Sequence, residues 1–263
     1  MDCRKLTEKE NMALKESCGR GKKALSHPRK QVFKAFGGQP VEQDELPFMA
    51  TLRYSRGELM EMCGGSLISP YHVLTAAHCV MQFNFDELCN NRSKRKTADL
   101  KFNNNLKDWK IYIGSSCPIP ELCMKPRKVS KFFYLRDYHP CNQGSDLAIF
   151  HLKKKVLPEE AVPICIAERD EEVNVLVYSA GTGFDPEKGE DEEQDHELQK
   201  VSLFRAKEFD DQIAVVDKES SLCGVRAIIF NYGLNRSLRE KMLKDDTAVE
   251  SANMLKNGVI FIN

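Results

Sequence analysis

No apolar run in the 263-residue chain approaches the roughly 20 residues needed to cross a bilayer, so no membrane-spanning helix is expected. The opening residues, MDCRKLTEKEN, lack the apolar segment of a secretory leader. Net charge is absent as well. Lys and Arg number 39 and Asp and Glu 39, which removes the field that would recommend nucleic acid or an anionic membrane surface as a partner. There is no internal repeat and no low-complexity tract. The cysteines form no Cys-x-x-Cys pair and no histidine stands at ligand spacing, so neither a metal site nor a cofactor is expected.

What is present points elsewhere. Ten cysteines without metal spacing read as a disulfide framework, which persists in oxidising surroundings, so an extracellular setting is expected despite the missing leader. Asn91 and Asn235 each open an Asn-x-Ser triplet, the acceptor pattern for N-glycosylation. The charges are balanced but segregated: RSKRK at 92–96 and KPRKVSK at 125–131 are basic, and EDEEQDHE at 190–197 is acidic. Like charges packed this closely repel and stay hydrated, so all three read first as solvated loops.

Short apolar, β-branched or aromatic runs alternate with turn-rich stretches: FMATLRY at 48–54, SLIS at 66–69, HVLTAA at 72–77, WKIYI at 109–113, KFFYL at 131–135, DLAIFHL at 146–152, VNVLVYSAG at 173–181 and LQKVSLFRA at 198–206. Runs of this length and spacing predict an all-β barrel or sandwich, not helix-crossover units.

Residues 63–80, CGGSLISPYHVLTAAHCV, closely resemble the histidine region of the chymotrypsin/trypsin-like serine proteases. The resemblance runs from about residue 34 to 223. KAFGG at 34–38 resembles the activation junction and ELPFMATL at 45–52 the first strand. GSDLAIFHL at 144–152 resembles the aspartate segment, VPICIA at 162–167 follows it, and AGTG at 180–183 stands where the family usually has Gly-Trp-Gly. The resemblance implies an all-β fold of two antiparallel six-stranded β-barrels with a site between them. It implies His78 as general base and Asp146 as the acid that orients it. Cys63 would pair with Cys79, closing a loop of about 17 residues for roughly 3 kcal/mol of stabilisation. Cys18 would pair with Cys165, so that cleavage between Lys34 and Ala35 leaves the prosegment attached. The interval between His78 and Asp146, with Cys89, Cys117, Cys123 and Cys141, reads as inserted rim loops whose connectivity spacing does not decide.

The family places its nucleophile in Gly-Asp-Ser-Gly-Gly, whose glycines let two backbone amides face the developing oxyanion. QIAVVDKESSLCG at 212–224 resembles the approach to that motif, but the chain continues VRAIIFNYG and contains no Gly-x-Ser-x-Gly at all. Ser220, Ser221 and Ser237 lack flanking glycines; Ser221 aligns with the base of the primary specificity pocket. Cys223 has no later cysteine to pair with, and Cys3 is likewise unassigned. After Gly224 the tail carries a capping box at Ser237 and Glu240 and an apolar stripe through Leu238, Met242, Val249, Ala252 and Leu255 up to Gly258, which predicts a helix in place of closing strands and leaves the second barrel incomplete.

Three segments follow: a prosegment-like extension over 1–34, a protease-like domain over 35–223, and a divergent tail over 224–263. The expected function is that of a serine endopeptidase by family, acting on protein or peptide substrates, in a chain that holds the base and acid but no nucleophile. Such a chain is inactive, or a product of altered splicing or an incomplete gene reading. The alternative is a non-catalytic homologue that binds a protein partner.

Overall fold

The computed structural model describes residues 5–20, 39–56, 59–82, 89, 101–102, 105–115, 117–135, 138–141, 146–166, 176–181, 198–208, 213–216, 227–228 and 259–262. The elements are, in chain order, helix α1 (Glu8–Ser17), then strands β1 (Gln39–Pro40), β2 (Met49–Arg56), β3 (Leu59–Ser69), β4 (His72–Thr75), β5 (Met81–Gln82), β6 (Lys101–Phe102), β7 (Trp109–Ile113), β8 (Val129–Tyr134), β9 (Ala148–Leu152), β10 (Leu176–Gly181), β11 (Gln199–Glu208), β12 (Ile213–Val216), β13 (Ala227–Ile228) and β14 (Val259–Ile262). A 3-10 turn spans Ala77–Val80 and a single helical turn spans Pro120–Cys123.

The first sheet runs β7-β2-β3-β4-β9-β8, all antiparallel. It closes on itself, because Arg127 ahead of β8 bridges Ile111 of β7 through two backbone hydrogen bonds of 2.7 and 3.3 Å. Closure removes the exposed edges that an open six-stranded sheet would offer. The interior takes alternate residues of each strand: Leu52, Leu67, Val73, Ile111, Val129, Phe150 and Leu152 are almost wholly buried. At the centre the sole Trp109 packs between Tyr54, 4.9 Å away between ring centroids, and Phe150, 4.7 Å away. Truncating a ring at such a position costs about 3–5 kcal/mol through lost burial and the cavity left behind.

The second sheet has the order β1-β11-β10-β14-β13, with β12 also on β11. It departs from an all-antiparallel barrel in one pairing: β14 lies parallel to β10, with Tyr178 opposite Val259 and Ala180 opposite Phe261. The tail therefore supplies strands β13 and β14 to the sheet where its closing strands were expected to be missing. The signal was the short β-branched and aromatic run VIFI at 259–262. Among the described residues no pairing joins β13 back to β1 or β12, so the two ends of this sheet stay unjoined there. The helix expected between Ser237 and Gly258 lies outside the described residues.

Helix α1 lies ahead of β1, in a stretch for which the sequence pattern predicts no helix. A capping box starts it: the Thr7 hydroxyl accepts from the Glu10 backbone N at 3.2 Å, and the Thr7 backbone N donates to Glu10 Oε2 at 2.9 Å. Leu6, Leu14 and Cys18 bury together against Tyr71 and Cys165.

Candidate functional site

Strand β4 and its antiparallel neighbour β9 build the site. Their register pairs His72 with His151 and Thr75 with Ala148. The residues just past this end of the ladder, His78 after β4 and Asp146 before β9, are thereby brought together although 68 positions separate them. The chain leaves β4 through Ala76 in an extended conformation and folds into the 3-10 turn, closed by the Cys79 N donating to Ala76 O at 3.3 Å. Ala76 and Ala77 are buried, and only small side chains let the turn pack this closely on the barrel. Thr75 ties the approach down, its hydroxyl donating to Gly64 O at 2.7 Å.

Asp146 holds His78 twice. One carboxylate oxygen stands 2.7 Å from the ring Nδ1, and the other accepts the His78 backbone N–H at 2.9 Å. With Nδ1 donating its proton to the carboxylate, the neutral ring carries its lone pair on Nε2. Both side chains are about one-fifth exposed, His78 at 22% and Asp146 at 20%, so the pair is open to solvent on one side and fixed on the other. A carboxylate that engages ring and main chain at once fixes both the tautomer and the orientation of the imidazole.

Disulfides brace this region. Cys63 of β3 is bonded to Cys79, the residue after His78. Ligand atoms of Cys63, His78 and Cys79 lie within 4.8 Å of one another. The two sulfurs are bonded to each other, however, and offer no thiolate to a cation. Cys18 is bonded to Cys165, joining α1 to the stretch beyond β9, and Gly19 N donates to Pro163 O at 2.9 Å beside it. Gly19 has φ +67°, and a Cβ there would stand 3.0 Å from Cys165 Sγ, so glycine is what lets the chain turn at the bridge. The two pairings that spacing left open are Cys89 with Cys141 and Cys117 with Cys123.

Lys34, Ala35, Asn91, Ser220, Ser221, Cys223, Asn235 and Ser237 lie outside the described residues. Two charge pairs, one buried and one partly buried, have no sequence signature. Glu45, just before β2, meets Lys200 of β11, joining the two sheets. Arg53 of β2 meets Glu121 of the turn Pro120–Cys123. Their partners are 155 and 68 positions apart, and Glu45 follows Glu42, Gln43 and Asp44 in a polar stretch, so no local pattern marks either pair.

Relatives with known names align with this architecture. CLIP domain-containing serine protease B8 of Anopheles gambiae is 42% identical over 88 residues, 33% of this chain and 20% of that protein. Serine protease ea of Drosophila melanogaster is 31% identical over 144 residues, 50% of this chain and 34% of its own length. Mannan-binding lectin serine protease 1 of Mus musculus is 27% identical over 162 residues, 59% of this chain and 21% of that protein. The chain thus spans only about a fifth to a third of the length of these relatives. The solved structure described as "Structure of GrC" superposes with a TM-score of 0.51 at 21% identity, covering 69% of this chain and 75% of that one, which carries the fold alone. The family model Trypsin matches residues 35–224, well over half of the sequence and the part that holds His78, Asp146 and strands from both sheets. On that match the chain belongs to the trypsin family.

Proposed function

We propose that this chain is a serine-endopeptidase scaffold whose proton-handling pair is assembled and whose nucleophile is missing, so that it engages protein or peptide ligands without hydrolysing them. The observation that carries the reading is the hydrogen-bonded His78 and Asp146 in a sequence with no Gly-x-Ser-x-Gly. In an active relative the imidazole takes the proton of a serine hydroxyl through Nε2 and returns it to the leaving amine, while the carboxylate stabilises the imidazolium. Without the hydroxyl no acyl intermediate forms, and loss of the nucleophile alone costs about a millionfold in turnover. Asp146 and His78 then remain as a polar, partly exposed feature of a ligand-binding cleft.

The framework supports an extracellular setting, since four disulfides among the described residues require oxidising conditions to persist. Cleavage between Lys34 and Ala35 would free an amino terminus while the Cys18–Cys165 bond retained the segment before it. Ser221 as pocket floor and Asn91 and Asn235 as glycan acceptors belong to the same reading.

A serine-directed phosphonate probe tests it. The oxidised, purified chain, before and after cleavage at Lys34, is expected to show no covalent label, whereas stoichiometric labelling of any serine overturns the proposal. A second reading is favoured by the end of the family match at residue 224: the gene encodes an active endopeptidase, and this sequence is a product with a different 3′ end. Sequencing the message decides between them. A transcript with Gly-Asp-Ser-Gly-Gly after Cys223 supports the second reading, and uninterrupted coding through VRAIIFNYG with no alternative end removes it.

A further inference from the structure

The seam that closes the first barrel also gathers cations. Arg127 bridges Ile111, and just beyond it Lys153 N donates to Lys128 O at 2.8 Å. Two basic runs distant in sequence, at 125–128 and 153–155, therefore lie side by side, with Lys110 next to the bridged Ile111. Lys110, Lys125, Lys128, Lys153, Lys154 and Lys155 are all exposed, and among the described residues none is joined to a carboxylate. The neighbouring acids are already engaged. Glu160 is held by Arg127 and Glu121 by Arg53, and Glu159 in the same turn as Glu160 has an interaction of its own. Six like charges on one seam of a chain with no net charge give a local positive field that the overall balance conceals.

Near this belt, on the turn that ends two residues before Lys125, an apolar side chain is held out to water. Leu122 is 80% exposed, the most exposed large hydrophobic among the described residues. It sits on the turn Pro120–Cys123, which the Cys117–Cys123 bond closes and the Arg53–Glu121 pair anchors from below. A stapled turn presents its side chain with little ordering cost on binding.

We propose that this surface docks an acidic, extended segment of a partner protein, whose carboxylates lie along the lysine belt and whose apolar side chain packs on Leu122. The belt alone would suit any polyanion. Leu122 favours a peptide, because a sulfated sugar has no apolar group to place there. The surface lies away from the dyad: Asp146 precedes β9 and Lys153 follows it, a separation of about 20 Å along an extended strand. Docking here is therefore independent of whether the cleft contains a nucleophile.

The test is fluorescence anisotropy of the full, oxidised chain with a fluorescein-labelled peptide rich in Asp and Glu and carrying one Phe. Binding is expected, weaker as salt is raised. The double substitution K128E/K154E is expected to weaken it about tenfold or more, as reversal of rim charges does, and Leu122→Ser several-fold. All these positions are exposed, so thermal unfolding should be unchanged and the His78–Asp146 pair intact. Three results overturn the proposal. One is binding indifferent to K128E/K154E. Another is a heparin-derived oligosaccharide that binds as tightly as the peptide while Leu122→Ser changes neither, which would make the site a general polyanion surface. The third is a tenfold gain in peptide affinity when the acids of EDEEQDHE at 190–197 are replaced by their amides, which would make the chain's own acidic run the occupant.

Discussion

Among the described residues, Tyr112 and Glu160 are those whose surroundings move their proton affinity most clearly. Burial pushes the Tyr112 phenol above its usual value, the nearby Glu121 carboxylate adds to the rise, and the Arg53 guanidinium opposes it. The folded state therefore favours the protonated phenol. The stability tied to it is full below the ordinary value near pH 10 and is lost as pH climbs through the folded value. Tyr112→Phe is expected to flatten the alkaline fall in stability, followed by urea unfolding between about pH 9 and 11. Absorbance titration should show one fewer late-ionising phenol. Glu160 moves the opposite way. Its carboxylate accepts the Leu157 backbone N–H at 2.9 Å, which lowers its proton affinity most; burial opposes this, and the pairing with Arg127 adds to the lowering, so the group stays below the usual range. Its contribution is present above pH 4.5 and disappears as pH falls. Because the side chain is 40% exposed, water screens much of the effect. Glu160→Gln is expected to lower stability slightly at neutral pH, where that contribution is present, and so to make the acid limb of the stability profile shallower.

At the scale of elements, β3 and β4 show how closely the barrel wall is packed behind the dyad. A Cβ on Gly65 would stand 2.8 Å from the Leu74 backbone O and 2.9 Å from Leu52 Cδ1. The carbonyl belongs to the β4 backbone and moves only if the ladder between β3 and β4 opens. Gly65→Ala is therefore expected to lower stability by about 1–3 kcal/mol, read as a lower urea midpoint with an unchanged slope. The same elements show what sequence pattern can and cannot reveal. WKIYI at 109–113 coincides with β7, because its β-branched and aromatic residues suit a pleated surface: Trp109, Ile111 and Tyr112 are buried and Lys110 alone in the run is exposed. SLIS marks only the last part of β3, which begins at Leu59: the earlier residues are strand because they pair with β2, Arg56 opposite Leu59 and Leu52 opposite Cys63, not because their composition demands it. Helix α1 carries Thr7 and Glu10 at capping-box spacing, but the polar stretch around them has no apolar periodicity to mark a helix. His78 and Asp146 both stand out in their motifs. Their contact depends on the β4–β9 register, which a linear pattern does not contain.

For the molecule as a whole, the decisive long-range feature is the link between its two sheets. Val41 N donates to Leu198 O, prolonging the β1–β11 ladder, and Leu198 N donates to Pro118 O, each at 2.9 Å, so the residue ahead of β11 is tied to a loop of the first barrel. At the centre of this seam the Lys200 ammonium meets Glu45, with side chains only 5% and 1% exposed. The other Glu45 oxygen accepts the Glu42 backbone N–H at 2.9 Å, which fixes the carboxylate in place. A charge pair this deeply buried gains little over two well-packed apolar residues, because both ions give up their hydration. Breaking it is another matter, since the remaining charge is stranded away from water. Lys200→Met is thus expected to destabilise the protein by about 3–5 kcal/mol and Glu45→Gln by a similar amount. The double variant should recover much of that loss, giving a coupling energy of roughly 1.5 kcal/mol or more in a double-mutant cycle. Chemical unfolding followed by the single tryptophan, Trp109 in the first barrel, together with far-ultraviolet dichroism over both sheets, distinguishes the two roles the pair could have. If it couples the sheets, Lys200→Met should separate the tryptophan and dichroism transitions, leaving the first barrel folded while the second sheet melts earlier. Coincident transitions in the single and double variants, with additive losses, would reduce the pair to a local packing feature and leave the backbone hydrogen bond from Leu198 to Pro118 as the connection that matters.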